Sequence, residues 1–247
     1  GNRRETKVNG GIGLISARLT AEGPIVKDKS SFIISGRRTY IDVITRPFVN
    51  TTSAAGSGYY FYDLNAKINH RFSEKDEIFL SGYFGRDVFS FSSADAGFST
   101  SIPWGNATAS LRWNHLFNDK LFLNMSATYS DYDFSFVGKQ EEFSFGFNSG
   151  IEDWSYKTSL SYYPSPRHKV ITGVDYVFHE FMPTDYFAEN GDTPIDIGIS
   201  GVTFSHETAL YIEDKFDLNE NIRISAGMRY SDFRHVGPFT RYGQDYT

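Results

Sequence analysis

The 247-residue chain contains no cysteine. That excludes disulfides, thiolate metal sites and cysteine nucleophiles. It also contains no apolar run near the ~20 residues that a membrane-spanning helix requires. Mean hydropathy is -0.38, which a β-barrel tolerates because its apolar content is hidden in alternation. The formal net charge of -6 leaves no basic excess for a nucleic-acid surface. No apolar core follows Gly1-Asn2-Arg3-Arg4-Glu5, so a signal peptide is expected further upstream. Enzyme motifs are missing as well. His179-Glu180 and His206-Glu207 each open a zinc-protease pattern, but Pro183 and Leu210 stand where the second histidine belongs. No nucleophile elbow, phosphate loop or dinucleotide fingerprint sits in a supporting context, and neither catalysis nor a cofactor is expected.

Aromatics are abundant, at 17% of residues with 16 Tyr and 23 Phe. Their placement is clearest in residues 59–84. Tyr60, Tyr62, Leu64, Ala66, Ile68 and Phe72 fall on one face of a strand, and Asp63, Asn65, Lys67, Asn69 and Arg71 on the other. A charged turn at 73–77 follows, then a second strand over 78–91. An all-polar face behind an apolar face capped by aromatics suits a strand with lipid on one side and water on the other. On this reading Ile68→Arg or Leu111→Arg is costly and Asn69→Arg nearly silent.

The unit recurs every ~45–50 residues. Strands are expected over 5–12, 14–25 and 31–44, the first pair joined by a reversal at Gly10, Gly11 and Gly13. A polar loop covers 45–58. Strands over 104–117 and 121–136 flank a turn at 118–120, those over 154–163 and 169–181 flank 164–168, and those over 204–217 and 222–233 flank 218–221. Outer regions cover 92–103, 137–152 and 182–202, and Phe143, Phe145 and Phe147 extend a strand beyond the membrane. Short turns alternate with long loops, as in outer-membrane barrels, for a total of about eleven strands.

Two stretches resemble a known family. Residues 10–25 and 27–40, beginning Gly10-Gly11-Ile12-Gly13-Leu14-Ile15-Ser16, are similar to the start of the barrel in TonB-dependent outer-membrane receptors of the Bacteroidetes type. The pair Ala209-Leu210-Tyr211-Ile212-Glu213-Asp214 and Ile222-Arg223-Ile224-Ser225-Ala226-Gly227-Met228-Arg229-Tyr230 is similar to a mid-barrel hairpin of that family. The resemblance implies an all-β, antiparallel, up-and-down transmembrane barrel of ~22 strands with a plugged lumen. Residues 1–247 are then the N-terminal half of the barrel domain, with plug and TonB box outside the sequence. The implied function is TonB-dependent uptake of a scarce solute: an iron chelate, a vitamin or a glycan. Implied partners are outer-membrane lipid, TonB through the plug, and the solute, with a surface lipoprotein as a further candidate. A passive porin-like or adhesin-like barrel is the alternative, and a soluble β-rich carbohydrate-binding domain the second.

Candidate site residues follow from position. Phe98 and Trp104, near the second loop, and Asp131 and Asp133, at the outer end of a strand, are candidates for gripping a ligand. A loop edge that merely faces water accounts for the same residues. Glu189, Asp192 and Asp196 form an oxygen-rich loop that suits a hard cation such as calcium, although the spacing is not that of an EF-hand and a solvated turn also fits. Tyr60, Tyr62, Trp104, Tyr129, Tyr156 and Tyr176 are assigned to the membrane boundary.

Overall fold

A computed structural model describes residues 1–191, 193–195 and 201–237, together with the backbone of 239–241 and 244–246. The strands are β1 (Lys7–Ile12), β2 (Ser16–Val26), β3 (Ser30–Thr39), β4 (Gly58–Arg71), β5 (Asp76–Ser93), β6 (Phe98–Asn118) and β7 (Leu121–Gln140). They continue with β8 (Phe143–Ser165), β9 (His168–Asn190), β10 (Thr193–Ile195), β11 (Thr203–Asn219) and β12 (Ile222–Val236). These form one 12-stranded sheet in chain order, with β10 paired only to the end of β9. Every pairing is antiparallel, and β13 (Phe239–Arg241) and β14 (Gln244–Tyr246) make a separate hairpin. A helix, α1 (Ile41–Val49), lies between β3 and β4.

Register carries the sequence alternation across the sheet. Ile68 lies opposite Leu80, and the row continues through Leu111, Ala127, Tyr156 and Tyr176. One residue away, Lys67, Ser81, Ser110, Thr128 and Ser155 form the next row. The pleat puts the two rows on opposite faces. We call the first the band face and the second the reverse face.

On β7 the apolar band runs through Leu121, Leu123, Met125, Ala127 and Tyr129, and Asp131 ends it. On β8 it runs from Tyr162 through Leu160, Thr158 and Tyr156 to Trp154, with Glu152 next. About ten residues at ~3.3 Å each, tilted ~40°, cover ~25 Å, the height of the apolar band of a transmembrane barrel. These side chains have no protein cover: Leu80 is 50%, Leu111 49% and Leu210 50% exposed. Ala188 and Ala209 are the buried apolar residues among those described. A single layer has no interior, so the band can leave water only by entering an apolar solvent. No helix among the described residues is long and apolar enough to cross a membrane.

Several boundaries differ from expectation. The strand expected over 31–44 stops at Thr39, and 41–49 is helical. The pairing of β3 with β4 ends at Arg38 and Tyr62, so residues 41–49 have no partner strand and satisfy their backbone internally. The loops expected over 92–103 and 137–152 are mostly strand, leaving only residues 94–97 and 141–142 between elements. The length at this far end is thus in the hairpins themselves, because Phe, Thr and Ser alternation continues to pair past the band.

At the opposite, turn end, the N-terminal segment lies on the reverse face. The backbone N–H of Asn2 donates to Glu22 at 3.0 Å, and Arg3 pairs with Glu77. The Ser31 hydroxyl donates to Asn69, whose amide donates to Glu77 at 3.0 Å. Asn69 is therefore 6% exposed, and the expectation that Asn69→Arg is silent is corrected. An arginine there would displace a satisfied polar network.

Candidate functional site

Beyond the band the two faces exchange character. On β7 the reverse face reads Asn124, Ser126, Thr128 and Ser130 alongside the band, then Tyr132, Phe134 and Phe136 past it. The band face reads Asp131, Asp133 and Ser135 over the same stretch. β8 repeats the exchange. Glu152, Gly150 and Asn148 continue its band face, while Phe147, Phe145 and Phe143 occupy the reverse face. Strand periodicity is unbroken, so the inversion is written in residue type alone.

The result is an aromatic ladder on the reverse face at the far end. Ring centroids of Phe134 and Phe147 lie 5.7 Å apart, Phe136 and Phe147 5.6 Å, and Phe136 and Phe145 5.8 Å. Phe143 stacks on Phe145 at 5.9 Å, and Tyr186 of β9 lies 5.9 Å from Phe147. Gly138 makes room for the ladder: a Cβ there would sit 2.8 Å from the Phe145 ring. Alongside it, Tyr59 stacks against Trp104 at 6.4 Å and donates from its hydroxyl to Asp87 at 2.6 Å. That hydrogen bond is the largest cause of a Tyr59 pKa pushed up to about 12, with burial and the Asp87 charge adding to it.

The candidates separate onto different faces. Trp104 lies within β6, opposite Asp87 and Phe134. It was expected at a strand start among the membrane-boundary rings, but it shares the reverse face with Asn106 and Thr108. Pro103 does not begin the strand, because β6 starts at Phe98. Phe98 shares that face six residues away, about 20 Å along the strand. Asp131 and Asp133 lie on the band face, directed away from Tyr132 between them. Asp133 is held by the Arg86 guanidinium at 2.9 Å, across Gly105. Burial pushes the Asp131 carboxyl above its ordinary range, aided by repulsion from Glu152 and Asp133. Glu189 accepts from the Ser144 hydroxyl at 3.5 Å; Asp192 and Asp196 lie outside the described residues, and the described residues hold no cluster of three or more metal-type ligands. His179 and His206 fall on opposite faces. His179 pairs with Asp153 at 2.6 Å and His206 with the Tyr176 hydroxyl at 2.7 Å.

Tyr60, Tyr62, Tyr129, Tyr156 and Tyr176 share the band face. Tyr60 and Tyr62 stack at 6.5 Å, and Tyr156 and Tyr176 lie 6.2 Å apart. Trp154, 4.8 Å from Tyr129, and Phe178 join them. At the turn end Asp76 binds both the Trp113 indole, at 3.1 Å, and His115, at 2.6 Å. Rings with one apolar body and one satisfied polar tip suit a boundary between apolar and aqueous phases.

A one-layer antiparallel sheet with an apolar band, boundary rings and a polar reverse face is the wall of a transmembrane-type β-barrel. Residues 39–247 match the family described as TonB dependent receptor-like, beta-barrel, and the chain belongs to that family. The ferric preacinetobactin receptor BauA from Acinetobacter baumannii shares the fold at a TM-score of 0.66 and 9% identity, with 95% of this chain and 42% of that one covered. The siderophore receptor PirA, also from Acinetobacter baumannii, gives 0.66 and 15%, with 94% and 39% covered. The ferric enterobactin receptor PfeA of Pseudomonas aeruginosa, as its G324V mutant, gives 0.62 and 13%, with 94% and 40% covered. The chain thus spans about two fifths of the length of these receptors. A comparison with curated protein sequences finds no match.

Proposed function

We propose that this chain is one side of the barrel of an outer-membrane, TonB-dependent uptake receptor, with the band face in lipid and the reverse face lining the lumen. The far end is then extracellular and the turn end periplasmic. The observation that carries this reading is the ~25 Å apolar band on one face of a chain that belongs to the receptor family. The solute is a scarce iron chelate, vitamin or glycan, met by the aromatic far end of the inner wall, where Phe98 and Trp104 lie. Tyr60, Tyr62, Tyr129, Tyr156 and Tyr176 hold the wall at the lipid boundary. Energy reaches the solute through TonB and a plug inside the barrel.

Two measurements on the native receptor test this. Antibody to this chain should detect a band much larger than 28.0 kDa in the outer-membrane fraction. Solute accumulation by the cells should collapse when TonB is removed. Accumulation that persists without TonB would identify a passive pore, and a soluble native protein would overturn the barrel reading.

A further inference from the structure

The inversion of the alternation past the band asks for an occupant. Just above the lipid, outward positions meet water and are polar, at Asp131, Asp133, Ser135 and Asn148, with Val137 and Phe187 on the same face nearer the tips. Inward positions over the same span meet the vestibule and are aromatic. Phe143 is 40%, Phe145 39% and Tyr186 54% exposed, so neighbouring strands do not bury them. The belt of boundary rings lies on the other face, so these rings have no role against lipid. Large apolar surface left open on one side of a wall marks a contact surface.

Charge narrows what fits it. From Thr100 on β6 across to Asn190 on β9, the inward positions past the band carry no lysine or arginine. Arg37, an inward cation on β3, lies 4.8 Å over the Phe61 ring and is neutralised by Asp63 at 2.8 Å. Asp87 is the inward acid beside the ladder. The mouth above is acidic as well. Backbone bonds string the hairpin tips together, from Ala94 to Ser53 at 2.7 Å, from Glu141 to Gly97 at 3.2 Å and from Gly191 to Glu142 at 2.9 Å. That rim carries Asp95, Glu141, Glu142 and Glu189 against Lys139, while α1 in the β3–β4 connection adds Asp42 and Arg46, so the balance stays acidic. A polyanion approaching it meets like charge and finds no inward cation past it to replace its hydration.

Resting on the uptake reading, we propose that this wall selects an electroneutral solute with flat apolar rings, stacked on Phe134, Phe136, Phe145 and Phe147, and that it discriminates against polyanionic chelates. Stacking on ring faces needs no partner charge.

The test uses the full-length receptor, plug included, in lipid nanodiscs. Two iron complexes with three aromatic rings each serve as probes: the uncharged ferric tris(benzohydroxamate) and the trianionic ferric tris(catecholate). Equilibrium binding of radiolabelled iron should favour the uncharged complex by about tenfold or more. The double variant Phe136→Ala, Phe147→Ala should lose that preference, with heat-modifiable migration showing that the barrel is intact. Glu141→Lys with Glu142→Lys, which leaves the ladder in place, should raise trianion binding several-fold. Equal or tighter trianion binding by the native receptor, or no binding of either probe, would overturn the inference. So would a double variant that keeps its preference and only unfolds at lower temperature, which would make a plug segment the occupant. Binding needs no TonB, so selectivity without TonB-dependent accumulation would sink the uptake reading and leave this one standing.

Discussion

At the scale of single residues, face decides consequence. Leu111 sits mid-band and 49% exposed. Leu111→Arg should therefore cost about 2–4 kcal/mol in folding into bilayers, read from denaturant titration in vesicles, because a guanidinium would enter hydrocarbon. Asn65, exposed on the reverse face, is the matching control, and Asn65→Arg should move the same titration by less than ~0.5 kcal/mol. Equal losses at both positions would refute the face assignment. Tyr59 makes a pH-dependent prediction. Its pKa is pushed up to about 12 by donation to Asp87, so the proton is held more tightly in the folded state. That stabilisation is fully present below the ordinary tyrosine pKa near ~10 and is lost as pH rises toward the folded value. Ultraviolet titration should show one phenolate appearing late, and Tyr59→Phe should remove that late step. Asp131 has the same sign at lower pH. Its raised pKa means that ionisation destabilises the fold as pH climbs past the ordinary carboxylate range. Asp131→Asn should stabilise the far-end hairpin at neutral pH by less than about 1 kcal/mol, and this gain should vanish in acid where both forms are neutral.

Among the elements, the hairpin of β7 and β8 is the most informative. It carries the band in its lower half and the aromatic ladder in its upper half. Its tip is two residues, and Glu141 there adopts φ 55. A side chain in the left-handed region costs roughly 1–2 kcal/mol, so Glu141→Gly should tighten the tip by up to about 1 kcal/mol and slow protease nicking at 140–143. Gly146 works in the opposite direction. A Cβ there would collide with the Phe136 carbonyl and sit 2.6 Å from the Phe187 ring. Gly146→Ala should open the upper half of the hairpin and speed proteolysis there while leaving the band's heat-modifiable migration intact. The alternation over 121–129 and 154–162 made these strands legible. What misled was the assumption that strands end with the membrane. Residues 98–103 and 137–140 are expected as outer regions yet continue β6 and β7, and Trp104 is expected at the boundary from its place after Pro103 at a strand start rather than from parity. The shift of apolar side chains from the odd positions Leu121 to Tyr129 to the even positions Tyr132, Phe134 and Phe136 is the signal the sequence carries. Helix α1 had no comparable signal, since Ile41, Val43 and Ile44 suit a strand equally well and only the lack of a pairing partner decides.

For the molecule as a whole, the balance of faces matters more than any contact. The sheet has no interior to be stabilised by packing, so its stability rests on cross-strand pairs, backbone bonds and transfer of the band into lipid. The described sheet ends at β1 and β12, and on β12 Met228 is 80% and Tyr230 64% exposed. Unpaired strand edges are not tolerated in hydrocarbon, which accords with solved receptors of which this chain covers about two fifths.

The sequence by itself determined the class of fold, because a strand's period of two is local and lipid demands strict alternation over ~10 residues. It also determined the family and the short turns. Only the tertiary structure decided which face each residue past the band belongs to, since that depends on register carried across neighbouring strands. Register placed Trp104 with Tyr59, put Asp131 and Asp133 on the band face, buried Asn69 in a polar network, and brought phenylalanines from two strands and a tyrosine from a third onto one face.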